Sequence, residues 1–255
     1  MITPASVLLK LRPALLASFA ARICGLNKRR LLRTEQGTFF INPISNFGST
    51  LLAGEYEPQM GAVLRRYLRP GAVFVDMGAN EGYFSVLASS LVGPEGTVIA
   101  VEPQSRLQSV IEANLEANRC SNVRLIRCVV SGRTEKVRLS LAPDTNTGSS
   151  SLFRQTKYVV PTEEVQSFSL ADFLNRAGVE RCDMMKVDIE GAEYDVFMEG
   201  GDILRKGVVK HVVLEIHHAI LANRGLSTDS LQAHMIESGY QVDKAMGPWV
   251  YTFNR

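Results

Sequence analysis

From residue 72 onward the chain alternates short, continuous apolar runs with segments whose apolar positions recur at helical spacing. Ala72 to Asp76, Thr97 to Glu102, Val123 to Val130, Asp183 to Asp188 and Val208 to His217 read as strands. Their lack of polar alternation suits strands buried on both faces of a parallel sheet. Glu81 to Leu91, Leu107 to Ala117, Asp172 to Ala177, Tyr194 to Leu204 and Thr228 to Ser238 read as helices between them. Lys136 to Leu141 and Val159 to Phe168 add two strands joined by the polar stretch Asp144 to Ser151. Tyr240 to Lys244 and Trp249 to Phe253 form a closing antiparallel hairpin in this reading. The pattern predicts an α/β fold, a doubly wound and mostly parallel sheet with helices on both faces.

Ahead of this domain, residues 34–71 read as a β-arm and a lead-in helix. Gly37, Asn42-Pro43, Asn46, Gly48 and Gly54 punctuate the runs Phe39 to Ile41 and Leu51-Leu52. Glu57 to Leu68 is the helix, closed by Arg69-Pro70-Gly71. Leu8, Leu11, Leu15, Phe19 and Ile23 give Ser6 to Cys24 the period of an amphipathic helix. The expected organisation is a basic helix over 1–33, the arm over 34–71, and the main domain over 72–255 with a variable insert at 142–168.

Composition narrows the class without deciding it. The 255 residues are 45% hydrophobic and 21% charged, as in ordinary globular proteins. A net charge of +2 points to no nucleic-acid partner. The charge is uneven, however: residues 1–33 hold seven basic side chains and no acid, leaving 21 basic against 26 acidic residues beyond them. Either the helix packs on the domain with its charges solvated, or it makes a peripheral contact with an anionic membrane or partner. It does not read as a membrane span, since only nine uncharged residues separate Arg12 from Arg22 where roughly 20 are needed. The same charges argue against a signal peptide. Four scattered cysteines without a CxxC match no zinc site and suit buried thiols in a reducing cytosol, so a cytoplasmic location is expected.

The chemistry concentrates at strand ends, where open α/β sheets bind ligands. Gly78 and Gly82 bracket the strand-to-helix turn Asp76-Met-Gly-Ala-Asn80-Glu-Gly82. A dinucleotide fingerprint needs G-x-G-x-x-G for its pyrophosphate. Here Asn80 stands at the middle glycine's place, and Asp76 would repel a pyrophosphate while suiting an ammonium and a sulfonium. The loop therefore favours S-adenosylmethionine over a nicotinamide cofactor. Glu102, ending the next strand, is the candidate acceptor for the ribose hydroxyls. Lys186, Asp188, Glu190 and Glu193 cross a second strand-to-helix junction, and Glu215, His217 and His218 end the neighbouring strand. Glu190 and Glu193 suit equally a helix N-terminus that favours acids. His211 and His234 read as surface residues.

In these motifs the chain resembles the FkbM-family methyltransferases. Val75 to Ser85, Ser169 to Leu174, Met185-Lys-Val-Asp-Ile-Glu-Gly-Ala-Glu193 and Leu214 to His217 match that family's pattern in order, over about residues 35–255. The Lys-x-Asp-x-Glu-Gly-x-Glu element is its most specific part, and Ala171 departs from the family's usual acid. The resemblance implies a class I, Rossmann-like methyltransferase topology and O-methylation of a sugar, glycoconjugate or polyketide-like acceptor. It carries the cofactor role onto Asp76, Gly78, Asn80, Gly82 and Glu102, and leaves acceptor choice to the insert at 142–168. Methyl transfer needs an aligned acceptor oxygen and a group to take its proton. His217 is the first candidate base and His218 the second, with Asp188, Glu215 and Lys186 beside them. Asp188, Glu190 and Glu215 also form an oxygen set suited to Mg²⁺. A nicotinamide-dependent oxidoreductase and a non-catalytic cofactor-binding module are the competing readings.

Overall fold

Residues 25, 28–153 and 159–254 are described by the computed structural model, so the helix expected over Ser6 to Cys24 and the middle of the insert lie outside the described residues. The chain enters as an antiparallel hairpin, β1 (Arg30–Thr34) and β2 (Gly37–Ile41). Phe39 and Ile41 of β2 are fully buried, each contributing about 1.5–3 kcal/mol of burial free energy. The arm therefore belongs to the core. The run Leu51-Leu52, expected as a short strand, lies instead in α1 (Asn46–Ala53). The Ser45 hydroxyl accepts from the Gly48 amide and caps this helix, offsetting the turn-forming residues inside it. The lead-in helix is α2 (Pro58–Tyr67), with Pro58 at its first turn.

The strands that follow are β3 (Val73–Met77), β4 (Thr97–Val101) and β5 (Val123–Ile126), joined by α3 (Tyr83–Val92) and α4 (Ser105–Ala117). The run Val123 to Val130, expected as one strand, divides after Ile126. Its second half, β6 (Val129–Ser131), leaves the main sheet to pair with β8 (Thr162–Ser169), which also pairs with β7 (Glu135–Ser140). After α5 (Leu170–Ala177) come β9 (Cys182–Val187), the short helices α6 (Glu193–Glu199) and α7 (Gly201–Arg205), and β10 (Val209–Leu214). The single helix expected over Tyr194 to Leu204 is broken at Gly200. Last come α8 (His218–Asn223), α9 (Thr228–Glu237), β11 (Tyr240–Val242) and β12 (Val250–Phe253).

The main sheet has the order β5-β4-β3-β9-β10-β12-β11. Neighbours from β5 to β10 run parallel, while β12 is antiparallel to both β10 and β11. This is the expected doubly wound α/β sheet with a closing C-terminal antiparallel hairpin. Alternation sends Phe74, Val98, Met184 and Val213 into the core on one face, and Val75, Ile99, Met185 and Val212 into the core on the other. The order in which strands are added reverses at β3, with β4 on one side and β9 on the other. The loops leaving β3 and β9 thus face each other across the switch point, where such sheets bind ligands. Among the described residues, no helix is long and apolar enough to cross a membrane.

Candidate functional site

The loop after β3 can cross the switch point only because it lacks side chains at two positions. Gly78 has φ +85°, and a Cβ there would sit 1.9 Å from the Asp188 carbonyl oxygen. Gly82, at φ +81°, starts α3 against Ile111. Asn80 takes a left-handed conformation too, at φ +49°; its side-chain carbonyl accepts from the Thr147 hydroxyl. Between this loop, the end of β4, Cys128 to Val130, and residues 146–152 lies a cavity of about 230 Å³.

Like Glu81, Glu102 is a buried acid of that cavity. Its Oε1 accepts from the Gln104 amide at 3.0 Å and from Gln104 Nε2 at 2.9 Å; its Oε2 accepts from the Asn80 amide at 2.9 Å. Three of about four acceptor positions are taken, which leaves one for a ribose hydroxyl. Burial outweighs these bonds and raises the Glu102 carboxyl to about 7. Gln104, which sequence reasoning missed, also donates to the Thr147 carbonyl and accepts from Ser150, pinning the cover segment over Glu102.

Asp76 has a different place from the one expected. It does not line the cavity but lies fully buried beneath the loop. Ser85 donates to it at 2.6 Å, and Lys186 Nζ stands 3.8 Å from its other oxygen. Burial raises its carboxyl, while Lys186 and Ser85 act against that rise. The expected contact of Asp76 with an ammonium or sulfonium is corrected: a strand residue pointing into the core sees Lys186 instead. Gly82 likewise shapes the loop without lining the cavity. Lys186, itself 4% exposed, bonds Asp188 at 3.2 Å and the Gly78 carbonyl at 3.4 Å, so it ties the two strand ends together. Burial would lower its ammonium, but Asp188, Asp76 and Glu57 together raise it.

Asp188, Glu190 and Glu215 line the same cavity, and Glu57 from the start of α2 closes it opposite Lys186. Glu57 is a second residue that sequence reasoning missed. Its φ of +45° was a mark of strain that only coordinates reveal. Desolvation first, and Asp188 next, raise the Glu215 carboxyl, although its side chain is open to the cavities.

The histidines are placed otherwise than expected. His217 lines neither this cavity nor its neighbour. Its Nε2 lies 3.6 Å from both Asp188 Oδ1 and Glu190 Oε1, and its Nδ1 lies 3.4 Å from Glu193 Oε1. Burial would lower its pKa, but the Glu190 and Glu193 carboxylates raise it to about 10. A ring whose two nitrogens both face carboxylates and which lines neither cavity is not presented to an acceptor hydroxyl. The expectation that His217 is the base is therefore corrected. Fully buried Glu193 also accepts from the Gly191 and His217 amides, locking the two loops together. His218 Nδ1 meets the Thr228 hydroxyl at 3.1 Å. Among the described residues, Asp188, Glu190 and His217 each offer one donor atom, all within 4.8 Å of one another; this cluster contains His217 and not Glu215, which was expected with the two acids. His211 is not a surface residue. It is 8% exposed, stacks on Tyr67 at 4.2 Å and meets the Thr252 hydroxyl, and burial lowers it to about 4. His234 is half-buried.

Residues 76–242 match the family model of the methyltransferase FkbM domain. The chain belongs to the FkbM methyltransferase family. It is similar to Methyltransferase 1 of Beauveria bassiana (strain ARSEF 2860), with 29% identity over 160 residues, 56% of this chain and 63% of that protein. It is also similar to the 31-O-demethyl-FK506 methyltransferase FkbM of Streptomyces tacrolimicus, with 27% identity over 179 residues, 59% of this chain and 67% of that one. The chain thus spans less than two thirds of the length of the Beauveria relative. A precorrin-6y C5,15-methyltransferase from Geobacter metallireducens GS-15 aligns at TM-score 0.42 with 16% identity, over 72% of this chain and 71% of that one. The FkbM match takes in Glu102, Lys186, Asp188 and Glu215, whereas Glu57 and the hairpin of β1 and β2 precede it.

Proposed function

We propose that this chain is an S-adenosylmethionine-dependent O-methyltransferase acting on a hydroxyl of a sugar, glycoconjugate or polyketide-like small molecule. The observation that carries the reading is a shared wall: the cavity beside Glu102 meets a second cavity at Glu57, Lys186, Asp188 and Glu215. One chamber then holds the cofactor and the other the acceptor, with their reacting ends together. The residues present fit the cofactor. Gly78 clears space for close approach, Glu102 keeps one acceptor position for a ribose hydroxyl, and Cys128, Val129 and Leu139 supply an apolar wall. When bound, S-adenosylmethionine supplies an activated methyl group. The chain's task is alignment and proton removal. Glu215 lines both cavities, as do Glu57 and Asp188, and in this reading it accepts the hydroxyl proton. Lys186 fixes Asp188 and the Gly78 carbonyl, and so holds the shared wall in shape. The name of the Streptomyces relative, an O-methylating enzyme, agrees with oxygen as the acceptor atom.

A second reading has its own observation. Asp188, Glu190 and His217 converge as two carboxylates and one imidazole, with Glu193 behind the imidazole as such ligands usually have. A divalent cation such as Mg²⁺ or Mn²⁺ held there would bind and polarise the acceptor hydroxyl.

Isothermal titration tests the main reading: S-adenosylmethionine should bind and NAD should not. Binding of NAD alone would favour the oxidoreductase. Cofactor binding without methylation of any neutral hydroxyl compound would favour a non-catalytic module. Loss of turnover with EDTA, restored by Mn²⁺, would establish the cation.

A further inference from the structure

The second cavity, about 550 Å³, lies within the usual range of small-molecule sites. Its apolar side is made by Met60 of α2, Val213 and Leu214 of β10, and Pro248-Trp249 at the entry to β12. Trp249 is held rather than loose. Its indole rests on Gly247, where a Cβ would come within 2.5 Å of Nε1, and it packs against the core beside Met246. The opposite side is the shared wall, where three carboxylates, Glu57, Asp188 and Glu215, face one ammonium, Lys186. That ammonium is already engaged by Asp76 and Asp188. Neutral amides of Gln59 and Gln232 and the imidazole of His218, whose Nδ1 meets the Thr228 hydroxyl, add to the lining. The three carboxylates outnumber Lys186 and His218 together, which disfavours an anion in this cavity.

We infer that the second cavity is the acceptor site, and that it takes an uncharged hydroxylated ring whose apolar face lies on Trp249 while its edge hydroxyls meet Glu57 and Glu215. Phosphate esters and sugar nucleotides are turned away at the carboxylate wall, since like charges at contact distance repel. A saturated ring shows apolar C–H groups on its faces and hydroxyls around its rim, which matches one aromatic wall opposite one polar wall. This assignment rests on the methyl-transfer reading and narrows it. Trp249 stands outside the matched family stretch, so acceptor choice is divided between that stretch and the C-terminal hairpin.

Trp249 is the chain's only tryptophan, so intrinsic fluorescence reports on this cavity directly. The full chain, loaded with S-adenosylhomocysteine, is titrated with phenyl β-D-glucopyranoside and trans-cyclohexane-1,2-diol, and separately with glucose 1-phosphate and UDP-glucose. The neutral probes should change the emission saturably, and the anionic ones should not. By calorimetry Trp249→Leu should weaken the neutral probes about 2- to 10-fold while leaving cofactor affinity unchanged. Anionic probes that bind as tightly as neutral ones, or neutral probes without effect at their solubility limit, would overturn the assignment. Failure of the cofactor itself to bind would defeat the underlying functional reading, which the calorimetric cofactor titration shows separately.

Discussion

Lys186→Met is the most informative single perturbation of this molecule. The substitution keeps the length of the side chain and removes its charge, leaving fully buried Asp76 without a counter-ion. At 3.8 Å and an effective dielectric constant near 20, the Lys186–Asp76 attraction is about 4 kcal/mol. The Asp188 pair at 3.2 Å adds less than its distance suggests, because the Asp188 side chain is 28% exposed and water screens it. Breaking a buried pair by removing one partner costs about 3–5 kcal/mol, consistent with this geometry. For a chain of this size the melting temperature should fall on the order of 10 °C. The deficit should also depend on pH. Without Lys186, the folded-state pKa of Asp76 rises further above its unfolded value, so its contribution to stability is present at low pH and is lost as pH rises through the folded pKa. Chemical denaturation at pH 5 and pH 8 should therefore show the larger deficit at pH 8. Adding Asp76→Asn should recover most of it, since the orphaned charge is then gone. A Lys186→Met protein within about 1 kcal/mol of wild type, or one whose deficit is equal at both pH values, would refute the reasoning.

Three further outcomes are expected. Glu102→Ala should weaken S-adenosylmethionine by about 1.5–3 kcal/mol; in the wild type, calorimetric affinity should fall as pH drops below about 7, where the buried carboxyl takes a proton and loses an acceptor position. His217→Gln should destabilise the cation-free protein at neutral pH. The wild-type advantage is fully present below the ordinary histidine value and disappears as pH rises through about 10, so a deficit that grows with pH in urea denaturation would contradict the ion-pair account. Gly78→Ala should cost at least about 3 kcal/mol in the same assay, because a left-handed backbone and an overlap with the Asp188 carbonyl coincide there; wild-type stability would show that the loop can move aside.

The sheet was legible because strands buried on both faces are mostly apolar, and β3, β4, β9 and β10 are, apart from a few polar positions such as Asp76, Asp183, Lys186 and Lys210. The split of Val123 to Val130 was not, since either half suits a strand and only pairing with β8 draws Val129 to Ser131 away. The Gly78 loop and Glu102 announced themselves through glycine spacing and a strand-end acid. Asp76 misled for a simple reason: strand alternation gives a side chain's face but not its partner, and the partner was Lys186. His217 was judged by residue type, whereas its role follows from three carboxylates drawn from another loop. Glu57 and Trp249 carried no local motif. They reach the wall of the second cavity only when α2 packs on the sheet and β12 joins it beside β10.

One contact described by the structure bears on how the protein is handled. Arg29 bonds Glu81 at 2.5 Å and the Phe40 carbonyl at 3.0 Å, while Glu81 lines the cavity beside Glu102 and is almost wholly enclosed. The stretch recognised by the FkbM model begins at Asp76, inside β3, so trimming the chain to that stretch would cut a central strand and strip the cavity of Arg29. Even a gentler shortening that begins just after Arg29 would leave the Glu81 carboxylate enclosed and unpaired. Arg29, the last residue before β1, thus ties the entry of the chain to the loop after β3 through one guanidinium.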